Sequence, residues 1–176
     1  LVDDILIFEK IDNDSLRLER REFDLESCIE DTVMMQAPAA HGKALALVCH
    51  VESGLPQRVI GDSLRIAQVL GNLISNAVRY TPEGGTIRVA WRVEGGHAVF
   101  SVSDNGIGIP AEHLPRLTER FYRVDKGRST QSGGTGLGLA IVKHALLNHQ
   151  AHLDIESTPG AGSTFKAVFP PARLIA

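Results

Sequence analysis

The sequence predicts a two-layer α/β sandwich: a mixed, mostly antiparallel sheet with helices on one face. Three observations predict it. Strand and helix signals run in the order β, α, β, β, α, β, β, long loop, α, β, β, and adjacent strand pairs favour antiparallel pairing with the helices packed on one side. The run TIRVAWRVE, a Gly95-Gly96 turn and HAVFSVSDN form a strong hairpin. Strands do not alternate singly with helices, so the pattern is not that of a doubly wound parallel sheet. A chain of 176 residues, 43% of them hydrophobic, buries enough apolar surface to fold as one domain with a short appendage.

Each element has its own signal. Residues 1–21 form a charged helical stub, with Leu1, Ile5, Phe8 and Ile11 along a seam and Asp12-Asn13-Asp14-Ser15 interrupting it. Residues 22–176 form the domain proper, opening on a short strand at Phe23-Asp24-Leu25. Asp24 or Ser27 caps a helix over 26–41, which Gly42 ends. Alternation predicts strands over 44–52 and at Val59-Ile60. Asp62 or Ser63 caps a long helix reaching Arg79, broken by Thr81-Pro82-Glu83-Gly84-Gly85. The hairpin of 86–94 and 97–105 follows. Residues 106–135 are rich in Gly, Pro and polar side chains, with a short helix near 111–117. That is too long for a plain connection and predicts a lid, mobile over 117–135 without ligand. A helix over 136–149 and strands over 151–157 and 163–169, joined by Pro159-Gly160-Ala161-Gly162, complete the chain.

Composition excludes several functions. Lys and Arg number 18 against 21 Asp and Glu, so the net charge of −3 lacks the basic surplus of a duplex-binding protein. No apolar run reaches the roughly 18 residues that span a bilayer. The chain opens on Leu1 rather than Met, which predicts a piece of something longer. Cys28 and Cys49 lie in apolar stretches and read as reduced core thiols in a reducing compartment. Without CxxC or HxxxH spacing they make no zinc site, and without G-x-S-x-G there is no serine-hydrolase signature.

Three stretches carry chemistry. Asn72 and Asn76 stand four apart in the long helix, so both amides leave one face, offering oxygens to a hard cation and NH2 groups to phosphate. Asp104-Asn105-Gly106-Ile107-Gly108-Ile109 follows a strand; its carboxylate accepts from an amino group, and its glycines let backbone approach a ligand. Gly133-Gly134-Thr135-Gly136-Leu137-Gly138-Leu139 opens a helix whose free N–H groups suit phosphate. No Gly-Lys-Ser/Thr closes it, so it is not a P-loop, and it follows no first strand, so it is not a Rossmann turn.

In this order the three stretches resemble the N, G1 and G2 boxes of the GHKL ATP-binding fold, the Bergerat type, and specifically those of sensor histidine kinases. Glu119-Arg120-Phe121-Tyr122-Arg123-Val124-Asp125 resembles the family's F box, and Gly160-Ala161-Gly162-Ser163-Thr164-Phe165 its final glycine box. Residues 71–170 look most like the phosphate-sensing PhoR kinases, and residues 1–70 more like hybrid kinases of the BarA/GacS kind.

The resemblance implies a role for each matching residue. Asn76 ligates Mg²⁺ bridging the ATP phosphates, with Asn72 beside them; Asn72, Asn76 and Arg123 are the catalytic set. Asp104 accepts from the adenine amino group, Gly106 and Gly108 make room for the purine, Tyr80 lies against it and Arg79 reaches phosphate. Arg123 and the amides around Gly136 and Gly138 hold the terminal phosphates, while Phe121 and Tyr122 anchor the lid on apolar surface. Ile109, Gly134, Thr135, Leu137, Leu139 and Thr164 complete the nucleotide-binding positions. The partners implied are ATP or ADP, the histidine-bearing dimerisation helices of a homodimeric parent and a response-regulator receiver domain, with no nucleic acid and no membrane contact by this piece. Its place is the cytoplasm, beneath a parent anchored in the bacterial inner membrane. The stub at 1–21 looks like the end of the second dimerisation helix. None of the seven histidines (His41, His50, His97, His113, His144, His149, His152) stands in the family's phosphoacceptor context, so the acceptor helix is missing.

Two competing readings share the motifs. A GHKL ATPase of the gyrase, Hsp90 or mismatch-repair kind has a water-activating Glu four residues before its Mg²⁺ Asn; Asn72 cannot act as that base. A non-catalytic nucleotide-binding module would show a degenerate site, and here the ATP-contacting positions are filled.

Overall fold

The computed structural model describes residues 19–55, 58–124 and 135–170. Its elements are β1 (Arg21–Asp24), α1 (Leu25–His41), β2 (Ala46–Val51), β3 (Arg58–Gly61), α2 (Ser63–Tyr80), β4 (Thr86–Glu94), β5 (His97–Asp104), a 3-10 helix (Ala111–Arg116), α3 (Gly138–Asn148), β6 (His152–Thr158) and β7 (Gly162–Phe169). The helical stub expected over 1–21 falls almost wholly outside the described residues. At its end Glu19 donates its N–H to Asp62 Oδ2 at 3.2 Å, and β1 begins at Arg21.

Five strands form the main sheet in the order β2-β4-β5-β7-β6, antiparallel except for the β2–β4 pair, which is parallel. The helices cover one face, as the sequence predicts. The consecutive strands β2 and β3 do not pair. β3 runs antiparallel to β1 in a separate two-stranded sheet. The reason is the crossover: a parallel β2–β4 pair needs a long return path, and β3 with α2 supplies it.

The two longer caps are acidic. Asp24 Oδ1 accepts from Ser27 N–H at 2.8 Å and Asp62 Oδ1 from Arg65 N–H at 3.1 Å, so Asp24 and Asp62, rather than the neighbouring serines, start α1 and α2. Helix α2 turns Ile66, Val69, Leu70, Leu73, Ile74, Ala77 and Val78 inward at helical spacing, and α3 adds Ile141, Val142, Ala145 and Leu146. All of these but Ile141 share one core with Ile87, Val89, Phe100, Val102, Phe165 and Ala167 of the sheet. Helices α2 and α3 run antiparallel: the start of α3 meets the middle of α2, while His149, just past the end of α3, accepts from Asp62 N–H at 3.4 Å through Nε2.

The thiol expectation needs one correction. Both cysteines are free, but Cys49 is exposed, because it lies on the edge strand β2; only Cys28 is half-buried. Burial first, then the charge of Asp31, pushes the Cys28 thiol up to about 11. Among the described residues no helix is long and apolar enough to cross a membrane.

Candidate functional site

The sequence motifs meet where the C-terminal half of α2, the end of β5 and the start of α3 converge. Asn72 and Asn76 are half-buried, one turn apart, flanked by the buried Leu73, Ile74 and Ala77. The Asn72 amide faces the first residue of α3: a Cβ added at Gly138 would stand 3.1 Å from Asn72 Oδ1. Among the described residues no side chain caps α3 at its N-cap Leu137, which leaves the amides of its first turn as donors for an anion, backed by the positive end of the helix. Thr135 Oγ1 accepts from Leu137 N–H at 3.2 Å, and Leu137 is buried, which fixes the approach to that turn.

Asp104 ends β5, half-buried, and its Oδ1 accepts from Gly106 N–H at 2.8 Å. Burial raises its carboxyl above the ordinary aspartate value; the N–H groups of Gly106 and Ser163 pull the other way. The loop that follows is held from two sides. Ile107 N–H donates to Tyr80 O at 3.3 Å, and Thr86 N–H to Asn105 Oδ1 at 2.7 Å. On the other side Gly160 N–H donates to Ile107 O at 2.8 Å, and Ile109 N–H to Ser157 Oγ at 2.8 Å. Ser157 passes the restraint on, donating to Gly162 O at 3.0 Å.

Two glycines make this approach possible. Gly108 has φ +67°, and a Cβ there would run into the Thr158 carbonyl; Gly162 has φ +106°, and a Cβ there would run into the Asp104 carbonyl. Thr164 is half-buried on β7 and donates to Ser103 Oγ at 3.0 Å, next to Asp104 rather than on it.

Arg79 and Tyr80, the last residues of α2, are exposed at the rim of this region. The segment after the 3-10 helix returns to α3 through Phe121, whose N–H donates to Gly136 O at 3.0 Å. Tyr122 is anchored by polar and cation contacts: its hydroxyl lies 2.6 Å from His113 Nδ1, and the Arg116 guanidinium stands 4.3 Å over its ring. Phe121 adopts a left-handed conformation (φ 59°) and is 65% exposed. Arg123 is half-buried at the end of this segment. Gly134 and the central part of the expected lid, 125–134, lie outside the described residues.

The structure also joins residues that no motif announced. Ser157 and Lys43 both bond backbone of the site segments. Each is an ordinary polar residue in a turn or on an alternating strand, with nothing in local sequence to single it out. An apolar pocket lined by Phe23, Val59, Ile66, Trp91, His149 and Phe169 lies at the opposite end of the helices. Its walls offer little to a phosphate, and it shares no residue with the motifs.

Residues 61–173 match the model of the histidine kinase-, DNA gyrase B- and HSP90-like ATPase family. The phosphate regulon sensor protein PhoR of Pseudomonas aeruginosa is 54% identical over 114 residues, 65% of this chain and 26% of that protein. The sensor protein GacS of Pseudomonas syringae pv. syringae is 38% identical over 169 residues, 94% of this chain and 19% of that protein. The chain thus spans about a quarter or less of the length of these two relatives. Among solved structures, full-length ShkA in complex with AMPPNP superposes with a TM-score of 0.85 at 29% identity, over 96% of this chain and 35% of that one. The chain belongs to the histidine kinase-, DNA gyrase B- and HSP90-like ATPase family, and the relatives it resembles are sensor histidine kinases.

Proposed function

We propose that residues 22–176 are the ATP-binding catalytic domain of a two-component sensor histidine kinase, which passes the γ-phosphoryl group of ATP to a histidine on a dimerisation helix for relay to a response-regulator aspartate. Residues 1–21 are the end of that helical domain. The observation that carries the reading is the meeting of the Asn72 amide with the uncapped start of α3, beside a strand-end carboxylate. Asp104 accepts from the adenine amino group with the carboxylate capacity left beyond its bond to Gly106. Tyr80 lies against the base, Arg79 and Arg123 reach phosphate, and the amides after Gly136 hold the terminal phosphates.

The donor set suits Mg²⁺ brought in by the nucleotide. The described residues contain no group of three or more His, Cys, Asp or Glu that could cage a metal, and an amide oxygen at Asn76 is a hard ligand. Mg²⁺ is usually held by few protein ligands plus substrate phosphates. It would be held by Asn76, and it neutralises charge on the phosphates.

Position 72 favours kinase over hydrolase. An amide activates no water, whereas an acceptor imidazole is a nucleophile already at neutral pH. The test is radiolabelled ATP with Mg²⁺. This chain alone should take up no acid-labile label and hydrolyse at most traces of ATP. A separate dimeric acceptor-helix domain of a related kinase should become labelled slowly, since the covalent link that supplies effective concentration is missing. Label on this chain alone would place an acceptor among its seven histidines and overturn the reading.

A further inference from the structure

Lys43 lies in the turn between α1 and β2, half-buried and outside every motif described above. Its Nζ donates to three carbonyls: Val78 O at 2.7 Å, Arg79 O at 3.2 Å and Thr81 O at 2.6 Å. These belong to the last turn of α2 and the residue after it. A helix leaves its last carbonyls without intrahelical donors, and here the amide that would serve Val78 O belongs to Pro82, which has no N–H. The remaining carbonyl of the segment, Tyr80 O, accepts from Ile107 N–H of the glycine loop at 3.3 Å. All four carbonyls from 78 to 81 therefore have a donor: three are met by one ammonium, and the fourth by the loop that follows Asp104. The grip is mutual, since Gly84 N–H donates to Lys43 O at 3.2 Å. The cation also stands at the negative end of the α2 dipole, where positive charge is favoured.

We propose that Lys43 is a positioning residue for nucleotide binding, one that acts through Arg79 and Tyr80. By gathering the carbonyls of Val78, Arg79 and Thr81 it sets where α2 stops and so where those two side chains stand against phosphate and base. The inference rests on the nucleotide role proposed for this site and adds a residue to it from 35 positions or more away in sequence. It also accounts for a lysine placed against backbone carbonyls rather than a carboxylate.

Calorimetric titration of ATP with Mg²⁺, well below the melting temperature, tests it. K43M should weaken ATP binding about tenfold, the size of a partly buried charge lost from a helix end. K43R, which keeps the charge and its donors, should recover most of that loss. In an R79A/Y80A background K43M should change affinity by less than about twofold, because the side chains it positions are gone. Binding by K43M equal to that of the parent chain, even with a lowered melting temperature, would make Lys43 a merely structural cap and overturn the proposal. So would a K43M loss of full size in the R79A/Y80A background. A parent chain that binds no ATP at all would instead overturn the nucleotide reading itself, and this proposal with it.

Discussion

The two ends of the sandwich are built by different physics. At the far end Trp91 packs on Phe169 and Phe100, with ring centroids 5.6 and 6.3 Å apart, and all three are nearly fully buried. That end is apolar enough to leave Trp91 Nε1 buried without a hydrogen-bond partner among the described residues. At the motif end the side chains are half-buried and polar, and the geometry is held by hydrogen bonds between segments distant in sequence, such as Ile109 to Ser157 and Ile107 to Tyr80. Burial supplies most of the folding free energy, while individual hydrogen bonds contribute little net stability. Stability therefore concentrates at the aromatic end and ligand geometry at the glycine end. Changes at one end should leave the property of the other nearly untouched.

The largest expected effect is at the aromatic end. Phe100 is fully buried in the middle of the sheet, and Phe100→Ala should destabilise the fold by about 3–5 kcal/mol in chemical denaturation. The molecules that remain folded should bind ATP within about twofold of the parent, since distant sites add independently. An affinity that fell in step with stability would break the separation of the two ends.

Asp104→Asn should do the reverse. One acceptor oxygen becomes a donor facing the adenine amino group, a buried mismatch of about 1–3 kcal/mol, or roughly five- to 150-fold in affinity. The unliganded fold should hold or gain stability, because burial disfavours the ionised carboxyl that the amide replaces. Calorimetry paired with thermal melting reads both quantities. Unchanged affinity would remove Asp104 from the adenine role.

The same contrast explains what was legible in the sequence. Local patterns gave the element order and nearly every boundary, because each depends on near neighbours: the apolar stripe of α2, the acidic caps Asp24 and Asp62, the Gly95-Gly96 hairpin. The site residues Asn72, Asp104, Gly106 and Gly138 were legible as motifs because their spacing is itself the chemistry. The pairing of β3 with β1 was not, since register across 34 or more residues is set by packing rather than by either strand. Nor were the bonds from Lys43 to Val78 O and from Ile109 N–H to Ser157, which span 35 and 48 residues. The exposure of Phe121 was not legible either: its left-handed backbone angle and its bond to Gly136 are not announced by an apolar residue type.

The smallest expected effect sharpens the comparison most, because one carboxyl moves the two properties in opposite directions. Asp104 titrates above its ordinary value, chiefly through burial. As pH falls through that raised value the carboxyl gains a proton, loses an acceptor oxygen and holds adenine less well. Affinity for ATP should therefore decline at a higher pH than an ordinary aspartate would give. Stability follows the other sign. A raised folded-state value means the folded chain binds the proton more tightly than the unfolded one, so the Asp104 contribution is fully present below the unfolded value and is lost as pH rises through the folded value. From about pH 4 to pH 7, which spans the region just above the unperturbed aspartate value, the Asp104 part of stability should fall while the Asp104 part of affinity rises. Measuring the parent chain and Asp104→Asn side by side isolates both parts, since the titration of ATP and of every other group cancels in the difference. Affinity differences that stayed flat across this range would mean that the Asp104 carboxyl does not contact the nucleotide, whatever its effect on the fold.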